Sequence, residues 1–299
     1  MTTFIKTINE FARLGQYESP RHPLMALLRI EEVGDRKQLI PEAFTFGFYT
    51  IGLKKNLKGF LKYGRKTYDF QEGVLVFTAP HQVISYEHLI VDESEGWYLL
   101  FEKSLLQNTS LAQRFENFKF FNYEINEALH LSKEEETQLN HIFEFLQKEY
   151  EKPIDVHSRQ LLVSHLEMIL NYSERYYQRQ FITRNEMETS FLSDFERVLS
   201  SYCSLDRLSL LGIPSVKEIA QQLNRSPNYL SDAIRNSTGM GVQKHIHLRL
   251  IEMAKEQLLT HQLSVSEVAY SLGFDSHTYF SRLFKKMEGL TPSEFIRQN

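Results

Sequence analysis

The spacing of apolar positions changes once along the chain. Between residues 22 and 101 they come in short runs, at 24–30, 44–51, 74–77 and 97–101, rich in aromatic and β-branched side chains. Gly34, Gly47, Gly52, Gly59, Gly64, Gly73 and Gly96 punctuate them. Many short runs with glycine turns predict a sandwich or small barrel. From about residue 132 the spacing is helical. Ser132 with Glu135 three residues on forms a capping-box pattern. Leu139, Ile142, Phe143, Leu146 and Tyr150 then follow on one helical face, over about 134–150, until Pro153 breaks the run. A second helix, over about 156–180, carries Leu162, Leu166, Ile169 and Tyr176. The polar stretch 174–188 reads as a junction between domains.

The last third contains an internal repeat with an offset of about 49–50 residues. Ser215 and Glu218 open one copy, Ser264 and Glu267 the other, each pair a capping box. Val216, Ile219, Ala220 and Leu223 match Val265, Val268, Ala269 and Leu272, the stripe of a short packed helix. Next comes a residue that tolerates positive φ, Asn224 in one copy and Gly273 in the other. A second short helix starts at the caps Ser226 and Ser276, with Pro227 at the first helical position of the first copy. It buries Leu230, Ala233 and Ile234 in one copy and Phe280, Leu283, Phe284 and Met287 in the other. Gly239 and Gly289 stop it. Helix, tight turn, helix, written twice, predicts two helix-turn-helix units, at about 215–238 and 264–287.

The polar faces left over are Asn228, Ser231, Asp232 and Arg235 in the first unit, and His277, Thr278, Ser281, Arg282 and Lys285 in the second. A helix over about 242–259 separates the units. Its length of roughly 30 Å approaches the 34 Å or so between successive major-groove entries on B-DNA.

The run Gly273-Phe274-Asp275-Ser276-His277-Thr278-Tyr279-Phe280-Ser281-Arg282-Leu283-Phe284-Lys285-Lys286, continued through Gly289, Thr291, Pro292 and Arg297, closely resembles the signature of AraC/XylS-type transcription regulators. The resemblance covers about 190–299. It implies double-stranded promoter DNA as the partner, bound at asymmetric sites through both units. It implies that the rest of the chain senses and dimerises, in many members through a cupin-like β-barrel and a helical pair. The expected fold is thus α+β and multidomain. A cupin-like sensor spans 1–130, a helical dimerisation and linker region 131–185, and an all-α DNA-binding domain 190–299. A homodimer, a small-molecule effector and RNA polymerase are the further partners this reading admits.

Carried over position by position, the resemblance puts base reading at His277, Thr278 and Arg282, and at Asn228, Ser231 and Asp232. Arg282 has the donors for guanine O6 and N7, and Asn228 suits adenine. Asp232 departs from the family, where a basic residue is common near this position. A carboxylate accepts from cytosine N4 but repels phosphate. Arg235, Lys244, Lys285 and Lys286 suit the phosphate backbone, as do the helix N-termini at Ser226 and Ser276. Read without the resemblance, Arg282 is a solvated arginine or half of an ion pair, Asp232 a surface or capping residue, and the lysine pair a solvated face.

Composition refines this reading. Net charge over 299 residues is -4, which excludes a mainly electrostatic coat of DNA. Residues 212–299 hold 10 Lys and Arg against 8 Asp and Glu, so a mildly basic end follows an acidic remainder. Cys203 is the sole cysteine, which forbids an internal disulfide and reads as a small buried hydrophobe. No targeting segment or membrane span is visible, so a soluble cytoplasmic protein is expected. Aromatics among the strands, Phe46, Phe48, Tyr63, Phe77 and Trp97, read either as ordinary core or as the lining of an effector site.

The competing class is a ligand-binding or metal-dependent cupin enzyme with a helical interaction tail. Residues 22–101 offer it only His22, His81 and His88, with no His-x-His pair. His245 and His247 are two apart on a helix and point to different faces. No catalysis, cofactor or metal is therefore expected.

Overall fold

The computed structural model describes residues 2–34, 39, 41, 43–55, 60–63, 66–69, 73–85, 95–124, 127–187, 189–259 and 263–298. For 33–34, 60–63, 66–69, 85, 182–187 and 189–190 it gives the backbone alone. The chain divides into two compact units, Met1–Gln180 and Phe181–Asn299.

In the first unit the elements are β1 (Thr3–Ile5), α1 (Ile8–Leu14), β2 (Met25–Arg29), α2 (Ile30–Gly34), β3 (Ala43–Phe46), β4 (Tyr49–Lys55), β5 (Phe60–Tyr63), β6 (Lys66–Asp69), β7 (Val74–Thr78), β8 (Ile84–Ser85), β9 (Glu95–Phe101), α3 (Ser110–Arg114), β10 (Leu129–His130), α4 (Lys133–Tyr150) and α5 (Ser158–Met187), whose residues from Phe181 on belong to the second unit. Five strands form an antiparallel sheet in the order β10-β7-β4-β9-β2. Three more pair as β1-β3-β8, with β1 parallel to β3, and β5-β6 is a hairpin. Among the described residues these remain separate sheets, so their ladders do not close into the expected barrel. The five-stranded sheet stops at β10, which is two residues long, and at β2, which runs directly into α2.

The expected strand at 44–51 is two strands in two sheets. The break is at Gly47, whose N–H donates to the Ile5 carbonyl at 2.9 Å. A Cβ there would lie 2.3 Å from the Lys6 carbonyl oxygen, so only glycine lets the two segments pass. The register of the large sheet sets Ile51, Leu53, Leu75, Phe77, Trp97, Leu99 and Phe101 on one face. Trp97 on this face stacks on Phe143 of α4 at 6.0 Å, and its indole N–H donates to Asn140 Oδ1 at 2.9 Å. The opposite face presents Thr50, Lys54, Thr78, Tyr98 and Leu100. Tyr98 and Leu100 belong to a core shared with Phe11, Phe44, Phe46 and Phe48.

Helices α4 and α5 bury the residues their periodicity marks, including Leu139, Phe143, Leu146, Leu162, Leu166 and Ile169. The Ser132–Glu135 capping box forms as expected. The pair is antiparallel: Arg179 donates to Glu135 through Nε at 3.0 Å and Nη2 at 2.6 Å, and the Tyr176 hydroxyl donates to Gln138 at 2.6 Å. The polar stretch 174–187 is helical, because it contains no glycine or proline to stop α5.

The second unit is all helix: α6 (Thr189–Tyr202), α7 (Leu205–Leu211), α8 (Val216–Gln222), α9 (Pro227–Thr238), α10 (Val242–Leu259), α11 (Val265–Ser271), α12 (His277–Glu288) and α13 (Pro292–Gln298). Helix α10, 18 residues or about 27 Å long, is its axis. Val242, Ile246, Leu250, Ile251, Ala254 and Leu258 are buried in one core with residues of α6, α8, α9, α11 and α12. Cys203 is buried in the same core, and burial pushes its thiol up to about 11. No helix among the described residues is long and apolar enough to cross a membrane.

The end of α7 rests on the turn between α11 and α12. Gly273 in that turn has φ +78°, and a Cβ on it would sit 2.7 Å from the Leu208 carbonyl oxygen and 2.9 Å from Gly212 Cα. Gly289 has φ +82° but open space around it. Gly273→Ala is therefore expected to cost about 2–4 kcal/mol, combining backbone strain with overpacking. Gly289→Ala should cost about 1–2 kcal/mol, from the backbone alone. Urea unfolding followed by the helical circular dichroism signal checks the order, and equal costs would rule out the close approach.

Candidate nucleic-acid interface

Each copy of the repeat folds by the same local chemistry. Ser215 N–H donates to Glu218 Oε2 at 2.8 Å, and Ser215 Oγ accepts from Glu218 N–H at 3.3 Å. Ser264 and Glu267 repeat this at 2.7 and 3.3 Å. Hydrogen bonds from the serines hold both glutamates below the usual carboxylate range. These boxes start α8 and α11, each seven residues long, whose buried residues are Ile219 and Ala220, and Val268 and Ala269.

The turns follow with Asn224 at φ +53° and Gly273 at φ +78°, the left-handed positions the spacing predicts. Backbone bonds then close each turn, Arg225 N–H to the Ala220 carbonyl at 2.9 Å and Phe274 N–H to that of Ala269 at 3.0 Å. Helices α9 and α12 are each 12 residues long and end at left-handed glycines, Gly239 and Gly289. Ser226 caps α9, its hydroxyl accepting from Tyr229 N–H at 3.2 Å. Ser276 occupies the same place before α12, but its side chain makes no capping bond. The second turn is one residue longer, and Ser276 sits in a more extended backbone, φ -146° against -69° for Ser226.

The structure brings the expected interface residues to these two helices and to the start of α10. On α12, His277, Thr278, Arg282, Lys285 and Lys286 are exposed and Ser281 is half-buried. On α9, Asn228, Ser231 and Asp232 are half-buried and Arg235 is exposed, as is Lys244 in the first turn of α10. Arg235 Nη1 lies 4.0 Å from Asp232 Oδ1. Phe181 packs edge-on against Tyr229 at 5.2 Å, leaving Tyr229 only 3% exposed. Tyr279, its counterpart on α12, is 47% exposed. Sequence periodicity carried no signal for this cover, because Phe181 lies outside the repeat. The charged side chains of α9's polar face, Asp232 and Arg235, cancel, whereas Arg282, Lys285 and Lys286 give α12 three cations.

His245 and His247 take separate partners, Thr238 Oγ1 at 2.8 Å and Gln243 Nε2 at 3.0 Å. Burial holds both below the usual histidine range. In the first unit His22 accepts from Leu24 N–H at 3.2 Å, His81 stacks on Phe4 at 5.3 Å, and His88 lies outside the described residues. Among the described residues no three of His, Cys, Asp and Glu gather as a metal set.

The strand aromatics do not converge. Phe46 and Phe48 stack at 4.6 Å in the core with Phe11. Phe77 packs on Phe120 at 4.3 Å, and Trp97 on Phe143, both on the other face of the sheet. The Tyr63 side chain lies outside the described residues. What the aromatic count missed is a set of buried polar residues, Thr50, Lys54, Thr78 and Tyr98, on the sheet face whose Tyr98 joins the core of Phe46 and Phe48. Burial pulls Lys54 down to about 8 and pushes Tyr98 up.

Comparison with known proteins places the second unit. A helix-turn-helix domain family matches residues 219–298. The arabinose operon regulatory protein of Escherichia coli K12 is 38% identical over 80 residues, 27% of this chain and 27% of that protein. The uncharacterised HTH-type transcriptional regulator YijO, also of Escherichia coli K12, is 38% identical over 82 residues, 27% of this chain and 29% of its own length. The chain therefore covers under a third of the length of these relatives. The C-terminal domain of AraT, a response regulator from Geobacillus stearothermophilus, is 28% identical, with 36% of this chain and 83% of that one covered and a TM-score of 0.31. With the Gly273–Arg297 motif and both helix-turn-helix units in place, the C-terminal unit of this chain is an AraC-type helix-turn-helix domain.

Proposed function

We propose that the chain is a sequence-specific, DNA-binding transcription regulator that sets α9 and α12 into successive major grooves of promoter DNA. One observation carries this reading: two equal reading helices stand on one core, joined by a strut of about 27 Å. Successive groove entries are about 34 Å apart, a distance such a strut and its flanking turns can bridge. In this reading His277, Thr278, Ser281 and Arg282 face bases from α12, and Asn228, Ser231 and Asp232 from α9. Arg235, Lys244, Lys285 and Lys286 hold phosphates, which would fix register without reading sequence. No chemical step is involved, and the protein works where the DNA is, in the cytoplasm, with RNA polymerase as the machinery it influences.

The first unit is then a cupin-like sensor that a small-molecule effector switches. Support comes from buried Thr50, Lys54, Thr78 and Tyr98 on one sheet face, with Tyr98 in the core of Phe46 and Phe48, the mixture of apolar and few polar groups that ligand sites use. Homodimerisation is assigned to α4 and α5, where Phe145, Leu161 and Met168 are 57%, 43% and 45% exposed.

Footprinting of the full chain should find discrete promoter sites whose affinity falls steeply with salt, on a log–log slope near -0.9 per phosphate contacted. Absent or salt-insensitive binding would overturn the regulator reading. Arg282→Ala should cost about 1–3 kcal/mol at one base position. Unchanged affinity and specificity would remove Arg282 from the interface. A Phe145→Glu, Met168→Glu double variant should sediment as a monomer and lose affinity for two-site promoters. A dimer that survives it places the interface elsewhere.

A further inference from the structure

The two reading helices align by number. Each is 12 residues long, each ends at a left-handed glycine, and equivalent positions are fifty residues apart. The buried pairs Leu230/Phe280, Ala233/Leu283 and Ile234/Phe284 set the phase. In that alignment Asp232 stands at the same step of α9 as Arg282 on α12, so the two units carry opposite charges at one position. Arg235 and Lys285 are likewise equivalent and are cations in both.

The two side chains are also opposite as hydrogen-bonding groups. Arginine only donates and an ionised aspartate only accepts. In the major groove guanine offers two acceptors, O6 and N7, whereas cytosine offers the N4 donor. A carboxylate at this step therefore has no partner on guanine. The surroundings match this difference. Arg282 is exposed, with Lys285 and Lys286 one turn on. The Asp232 side chain is 17% exposed, with the Arg235 guanidinium 4.0 Å away on the next turn. The Asn236 amide donates to the backbone carbonyl of Asp232, which leaves that bond out of the carboxylate's own set.

We propose that Asp232 is a specificity-determining residue that reads a cytosine in the first half-site, at the step where Arg282 reads a guanine in the second. Arg235 is also a positioning residue: besides its phosphate contact, its guanidinium, 4.0 Å away on the next turn, steadies the carboxylate. The assignment rests on the reading that both helices enter the major groove. It divides the work between the units. Both faces then discriminate, but the α12 face adds attraction through three cations where the α9 carboxylate adds no net attraction.

Selection of bound sites from random duplexes by the full chain tests this. Wild type should enrich cytosine at one position of one half-site and guanine at one position of the other. Asp232→Asn should move the first position alone from cytosine to adenine, which asparagine bonds in bidentate fashion, with a change in preference of about 5- to 150-fold. Arg282→Ala should relax only the guanine. Arg235→Ala should blur the cytosine preference, and Arg235→Lys should keep it. If Asp232→Asn leaves every position unchanged, or tightens binding equally for all sequences, the carboxylate only repels phosphate and the assignment is overturned. If wild type enriches no sequence, the regulator reading falls together with it.

Discussion

The burial of α10 from several sides is the constraint on which the C-terminal unit depends. A helix with one apolar stripe packs against one neighbour. This one turns Val242, Ile246, Leu250, Ile251, Ala254 and Leu258 into a core that both helix-turn-helix units share. Neither unit has a separate interior, since Ile219 and Ile234 of one meet the same cluster as Val268 and Phe284 of the other. The fixed spacing of α9 and α12 follows from packing rather than from the turns.

The capping boxes, the left-handed turns and the glycine stops were legible in the sequence because each is a local rule of two to four residues. Ser215 with Glu218, Asn224, Gly273, Gly239 and Gly289 all occupy the conformations their types predict. Less was legible where distant segments decide. Gly47 reads as an interruption within one strand, yet it separates two sheets because the backbone at Lys6 crosses there. The faces of Phe77 and Trp97 depend on strand register, which aromatic content does not contain. Helices α6 and α7 lie before the repeat, so the repeat gave no warning of them. The helical spacing of Phe195, Val198 and Leu199, all buried, was the available signal. Ser276 illustrates a finer limit: residue type predicted the cap position, but the extra residue in its turn altered the backbone that would have made the bond.

The two copies of the repeat share a scaffold and differ in what they display. Their buried stripes are interchangeable in character, while their polar faces differ in charge and in cover. Phe181 packs on Tyr229 of α9 and Tyr229 is buried, whereas Tyr279 of α12 meets the Phe274 ring at 6.0 Å and stays exposed. The acidic bulk of the chain adds no general attraction to DNA, so the proposed binding depends on groups in register with particular bases and phosphates.

A fixed strut also carries a phase. Each residue in α10 advances the axis by about 1.5 Å and turns it by about 100°. Adding or removing one residue would barely alter the distance between the two helix-turn-helix units but would swing α12 more than a quarter turn relative to α9. In the proposed docking, the length of α10 is thus a form of sequence recognition in itself: it would select the spacing and helical phase between two half-sites before any base is contacted.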